Sequence, residues 1–180
     1  MKKIVVIGPE STGKSTLCTQ LAAHFRTEWV REYAREYLEE NGTAYRFEDL
    51  STIATGQIEL EEKTAELLIA IDPNSAAPPY LFIDTDLYVI KIWSEFVFNK
   101  IDNSILNKIT KRKYDLYLLC DTDLPWVEDE LREYPDPAVR KKLFKHYKEE
   151  MTEQSVPWVI IRGNFEERLA AAIRACNKLL

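Results

Sequence analysis

Apolar positions follow two rhythms along this chain. Short unbroken runs rich in β-branched or aromatic residues occur at 3–7, 80–83, 116–120 and 158–161, with a weaker one at 28–30. Runs of this kind predict strands covered on both faces, as in a parallel sheet. Between them apolar residues recur at helical spacing. Leu17, Leu21, Ala22 and Phe25 follow Lys14, and Leu50, Ile53, Ile58, Leu67 and Leu68 mark a long helix over 47–71. Shorter helices are predicted over 32–40, 87–98, 103–110, 138–151 and 165–179, the first stopped by the turn chemistry of Asn41-Gly42. Strands alternating with helices predict an α/β fold around a parallel sheet. The Pro-rich stretch 72–79 predicts a surface loop. It is the one candidate boundary, yet both of its flanks read as parts of one sheet. Residues 123–137 are charged, aromatic and proline-marked, which predicts an exposed functional loop.

Composition narrows the picture. A length of 180 residues suits a single domain, 1–180, with a substantial core. The 24 Lys+Arg against 30 Asp+Glu leave a net charge of −6, which argues against nucleic acid as the main partner. A small phosphate ligand needs only local donors and stays open. Cys18, Cys120 and Cys176 are odd in number and far apart, so no disulfide framework or metal-binding pair is read from them. A reducing cytoplasm is the simplest compartment. The chain turns polar from Gly8, so no signal peptide is expected. No apolar run approaches the roughly 18 residues of a membrane span. Nothing in the sequence speaks to oligomeric state.

Two of the five glycines change the reading most. Gly8-Pro9-Glu10-Ser11-Thr12-Gly13-Lys14-Ser15 fits GxxxxGK[ST], after a predicted strand and opening a predicted helix. Glycines there let successive backbone N–H groups point into one concavity, and the helix N-terminus adds donors and a favourable dipole. The expected ligand is ATP. Lys14 would reach its β- and γ-phosphates, Ser15 would ligate Mg²⁺, and Thr16 would bond a further phosphate. Asp84, at the end of the predicted strand 80–83, supplies the acidic residue that can hold Mg²⁺ directly or through water. Asp86 follows at a distance that can share the same mouth. The plainer reading is that Asp84 only caps the next helix.

No guanine-reading Asn-Lys-x-Asp is present, since Asn107-Lys108-Ile109-Thr110 lacks the acid. About 60 residues follow the fourth predicted strand, which favours a compact kinase over a large mechanical ATPase of the AAA type. A kinase needs arginines over the transferring phosphoryl group and a carboxylate for the acceptor hydroxyl. Arg132 and Arg140, in or beside the loop after the fourth strand, are candidates for the first role. Glu32, where the second strand should end, joins Asp84 and Asp86 as a candidate for the second, with Tyr33 and Arg35 beside it. Ligands in such folds sit at the carboxyl ends of the strands, where these groups can converge. The plain alternatives are solvated surface arginines and a first-turn helix acid.

Together, Gly8 to Leu17, Glu32-Tyr33-Ala34-Arg35, Ile53-Ala54 with Gly56, Phe82-Ile83-Asp84-Thr85-Asp86, and Pro125-Trp126-Val127 with Leu131-Arg132 resemble the ribosylnicotinamide kinase domain of the NadR family. They occur in the family's order over nearly the whole chain. The resemblance implies a P-loop NTPase fold: three α/β/α layers, a five-stranded parallel sheet of order 2-3-1-4-5, and a lid after the fourth strand at about 123–137. It implies transfer of phosphoryl from ATP to the 5′-hydroxyl of nicotinamide riboside. It implies Gly8, Glu10, Ser11, Thr12, Gly13, Lys14, Ser15, Thr16 and Arg140 around the ATP phosphates. The family's kinase domain is usually joined to an adenylyltransferase domain, and some members add a DNA-binding helix-turn-helix. Neither fits in this length, and no His-x-x-His or His-x-Gly-His occurs, so a stand-alone kinase is expected.

That acceptor carries a pyridinium cation, which aromatic faces and carboxylates would hold, with cation–π contacts contributing roughly 0.5–2 kcal/mol. Tyr33 beside Glu32, Tyr88 beside Asp86, and Trp126 near Asp123 and Glu128 are candidate pairs, with Trp93 further along the same helix as Tyr88. Gln57 and His24 are weaker candidates. Core packing is the plain alternative for most of the aromatics. Asp84, Asp86 and Glu32 remain equivalent candidates to orient the hydroxyl. Two other functions stay open: a kinase for another nucleoside, and a regulatory ATP-binding module.

Overall fold

The computed structural model describes residues 1–71 and 80–179. The loop predicted at 72–79 lies outside them. Strand β1 (Lys2–Ile7) runs into the glycine loop and then helix α1 (Lys14–Phe25). Strand β2 (Trp29–Val30), helix α2 (Tyr33–Asn41) and the long helix α3 (Asp49–Ile71) follow. Next come strand β3 (Tyr80–Asp84), helices α4 (Leu87–Phe98) and α5 (Asn103–Ile109), and strand β4 (Leu116–Cys120). Helix α6 (Pro137–Glu153), strand β5 (Trp158–Ile161) and helix α7 (Phe165–Asn177) complete the order. Every strand pairing is parallel, and the sheet order is β2-β3-β1-β4-β5, the P-loop NTPase arrangement expected.

The unbroken apolar strands make sense once both faces of the sheet are followed. Successive side chains alternate between faces. Ile4, Val6, Tyr80, Phe82, Leu118 and Cys120 pack against Leu17, Cys18 and Leu21 of α1 and Ala172 and Cys176 of α7. Val5, Ile7, Leu81, Ile83 and Leu119 pack on the other side against Leu68 of α3, Ile92 of α4, and Leu143, Tyr147 and Met151 of α6. A third cluster, built on Leu50, Ile53, Leu87 and Ile90, joins α3 and α4 beyond the sheet edge.

Helix ends shift by one or two residues from the expectation, and the shifts have chemical causes. Glu32 is not the first turn of α2 but its N-cap, with extended backbone, so its side chain stands at the strand–helix junction. Helix α6 starts at Pro137, where a proline loses no helical bond, behind the capping side chain of Asp136. Asn164 and Glu167 form a reciprocal capping box on α7. Among the described residues, no helix is long and apolar enough to cross a membrane.

Candidate active site

The loop between β1 and α1 is shaped by its glycines. Gly8 has φ +140°, and a Cβ there would lie 2.6 Å from the backbone oxygen of Cys120 on the neighbouring strand. Gly8→Ala therefore combines backbone strain with a clash that no side chain can relieve. We expect it to lower stability by about 2–3 kcal/mol, read as a drop in the denaturant midpoint. Gly13 has φ +76° and caps α1 without a side chain, leaving the first-turn N–H groups of the helix facing the loop. Thr12 Oγ1 donates to the carbonyl of Pro9 at 2.8 Å, and Lys14 Nζ donates to the same oxygen at 3.1 Å. The loop thus carries a cation and aligned amides at one helix N-terminus, a place suited to phosphate.

A buried arginine from the far end of the chain braces the loop. Arg168 of α7 donates Nη1 to the carbonyl of Thr12 at 3.0 Å, Nη2 to the carbonyl of Asp121 at 3.0 Å, and Nε to the carbonyl of Gly163 at 2.8 Å. It also pairs with Asp123. No sequence motif marks it. Its spacing to Ala172 and Cys176, on the buried face of α7, is the signal that could have found it.

Asp84 ends β3 beside Ser15, whose Oγ donates to Asp84 Oδ2 at 2.5 Å. The other oxygen, Oδ1, is buried and has no hydrogen-bond partner. Burial, and next to it the nearby Glu32, push this carboxyl up to about 7. A hydroxyl beside a hard carboxylate oxygen is a donor set that fits Mg²⁺. A cation there would favour the carboxylate and reverse that push. Thr85 follows with φ +75°, donates its N–H to the carbonyl of Val6 at 3.1 Å, and donates Oγ1 to Glu32 Oε1 at 3.3 Å. That bond ties the N-cap of α2 to the end of β3.

Asp86 does not join them. Its Oδ1 accepts from the N–H of Tyr88 at 3.0 Å, capping α4, and its Oδ2 accepts from the Tyr117 hydroxyl at 2.7 Å. The helix-cap role weighed for Asp84 belongs to Asp86. With both oxygens engaged it lines a separate cavity with Tyr88, Arg112 and Tyr114, away from the phosphate loop. Tyr88 goes with it, its ring edge-on to Tyr117 at 5.9 Å. Tyr33 is also turned from the cleft: its ring lies on Gly56, where a Cβ would come within 2.1 Å of it. Gln57 explains the local geometry, since its Oε1 accepts the Tyr33 N–H at 2.8 Å and so ties α2 to α3.

The segment after β4 lies across the phosphate loop. Glu10 accepts the N–H groups of Glu133 (3.1 Å) and Tyr134 (3.2 Å), so this loop carboxylate faces the lid backbone rather than a phosphate position. Ser11 Oγ accepts the Val127 N–H at 2.9 Å and Arg132 Nη1 at 3.4 Å. Arg140 is buried and donates to the carbonyls of Ser11 (3.0 Å) and Leu124, while its Nε has no partner. Trp126 is not in the cleft wall. Its ring faces the guanidinium groups of Arg140 (5.6 Å) and Arg132 (6.0 Å), which occupy the face proposed for a ligand cation. Arg35 bridges from α2 to Asp129 of the lid at 2.9 Å.

One cleft runs from the loop to a pocket between α2, α3, α4 and the lid. Lys14, Ser15, Thr16 and Arg132 line its first half, and Glu32, Gln57, Tyr45, Trp93 and Glu133 its second. No local motif marks Tyr45 and Glu133 in the sequence.

A family model described as an AAA domain matches residues 3–168. The chain is 24% identical to the "Trifunctional NAD biosynthesis/regulator protein NadR" of Escherichia coli (strain K12), over all of this chain and 43% of that protein. It therefore spans less than half the length of this curated relative. Among solved structures, a NadR protein in complex with NR superposes with a TM-score of 0.81 at 22% identity, covering 99% of this chain and 51% of the other. A deoxyadenosine kinase from M. mycoides with bound dATP gives 0.56 at 13% identity, covering 98% and 100%. These likenesses show the P-loop NTPase fold.

Proposed function

The chain belongs to the AAA domain family, and from that premise we propose that it is an ATP-dependent kinase for nicotinamide riboside, giving nicotinamide mononucleotide and ADP. The observation that carries the reading is one continuous cleft, with the phosphate loop along one half and aromatic and acidic side chains along the other, and with Glu32 and Thr85 among its walls. The likeness to a NadR protein in complex with NR supports the choice of acceptor.

The loop amides and Lys14 hold the β- and γ-phosphates at the N-terminus of α1. Ser15 and Asp84 would hold Mg²⁺, which supplies charge neutralisation on the phosphate oxygens. Arg132, anchored to Ser11 and to the carbonyl of Val127 at 2.5 Å, stands where it can screen the transferring phosphoryl group. Of the three carboxylates weighed from sequence, Asp86 is spent on a helix cap and a tyrosine, and Asp84 on Ser15. Glu32 lines the cleft and is the group to orient the 5′-hydroxyl and take its proton. The new P–O bond forms to that oxygen as the bond to ADP breaks.

The test is ADP release with Mg·ATP across a panel of nucleosides. Nicotinamide riboside should be turned over with a kcat/KM at least about tenfold above thymidine, cytidine and deoxyadenosine, and above acceptor-free hydrolysis. Preference for a deoxynucleoside, or hydrolysis unaffected by any acceptor, would overturn the assignment.

A further inference from the structure

Three residues from separate segments meet at the end of the cleft farthest in chemistry from Lys14. Tyr45 precedes α3, Trp93 belongs to α4, and Glu133 to the lid, and all three line the same cavity. Trp93 Nε1 donates to the Tyr45 hydroxyl at 2.5 Å. That bond takes up a lone pair on the phenol and leaves its O–H to donate. Glu133 lines the same cavity, and burial and then the Glu133 charge push the Tyr45 phenol up. The backbone under Glu133 is fixed, since Glu10 takes its N–H and that of Tyr134, and the Tyr134 ring packs edge-on to Trp93 at 5.3 Å.

We infer that Glu133, held at the cavity wall by the backbone bonds to Glu10 and facing the same space as Tyr45 and Trp93, is the specificity-determining residue that makes this pocket select a positively charged aromatic ring over a neutral one. The inference rests on the nicotinamide riboside reading and says how that acceptor is chosen. A carboxylate among aromatic walls loses hydration when a ring covers it. A neutral base leaves that loss uncompensated, whereas a pyridinium offsets it and gains from the indole face. The cleft then carries opposite charges, Lys14 and Arg132 toward the phosphates and Glu133 toward the base.

Oxidised and reduced nicotinamide riboside test this directly, because they differ in ring charge at nearly constant shape. The readout is the ratio of kcat/KM for the oxidised over the reduced form, with full-length protein and Mg·ATP. In Glu133→Gln this ratio should fall roughly tenfold, equivalent to about 1.4 kcal/mol, with the loss carried by KM of the oxidised form. Tyr45→Phe keeps the ring and removes the hydroxyl, and should lower the ratio about threefold through the same parameter. Both variants should melt within a few degrees of the wild type. A ratio unchanged within twofold in Glu133→Gln, even where both rates fall, overturns the inference while leaving the kinase reading standing. A wild type that phosphorylates neither riboside overturns the kinase reading and the inference with it.

Discussion

Replacing Lys14 by alanine should lower kcat at least about 10³-fold and leave the melting temperature within a few degrees of the wild type. The two halves of that expectation have separate causes. Lys14 Nζ makes one hydrogen bond, to the carbonyl of Pro9, and that oxygen keeps a second donor in Thr12 Oγ1. Losing it removes a net contribution of about 1 kcal/mol, small against the fold. On the proposed mechanism the same ammonium would meet phosphoryl oxygens in the transition state, where a preorganised charge counts for several kcal/mol. Single-turnover phosphoryl transfer beside a thermal melt reads both. Activity within tenfold of the wild type would remove Lys14 from the chemistry.

Glu32→Gln should lower kcat about 10³-fold while KM for ATP changes less than threefold. The substitution keeps shape and can still accept from Thr85 Oγ1, so the junction of β3 and α2 survives. What goes is the capacity to take the acceptor proton. The nearby Asp84 is buried and is not among the cleft walls, so it does not meet the acceptor in its place. Acceptor-free ATP hydrolysis separates this from collateral damage: it should be nearly unchanged in Glu32→Gln and nearly abolished in Lys14→Ala. If Glu32→Gln turns over normally, the proton goes elsewhere and the assignment falls.

The fold was legible because its signals are local. Four apolar runs, a glycine loop and the helical repeats between them specify a parallel sheet without knowledge of any long-range contact. Even the two-residue β2 left a trace in Trp29-Val30. The glycine-loop end of the candidate site is legible for the same reason, since the residues that line it are neighbours in sequence. The acceptor end was not. Tyr45, Trp93 and Glu133 come from a loop, a helix and the lid, and only folding brings them together. Asp86 shows the converse: two residues from Asp84 it looked like a partner in the mouth, but the turn into α4 rotates it under the helix N-terminus. The rotation passes through Thr85 at positive φ, a conformation that its residue type does not advertise. Trp126, in a polar loop, had looked free for a ligand; the arginines expected nearby had already taken its ring.

The Arg35–Asp129 bridge is the one ion pair between α2 and the 123–137 segment among the described residues, so it joins the wall that carries Glu32 to the segment lying across the glycine loop. Both side chains keep part of their surface in water, and such a pair stabilises by no more than about 1 kcal/mol. Thermodynamic reciprocity then sets what it can transmit. If ATP tightens the hold on the riboside through this bridge, the riboside tightens the hold on ATP by the same factor, and that factor is at most about fivefold. Mild synergy between the two substrates, equal whichever arrives first, is what a single half-exposed ion pair spanning the cleft can deliver.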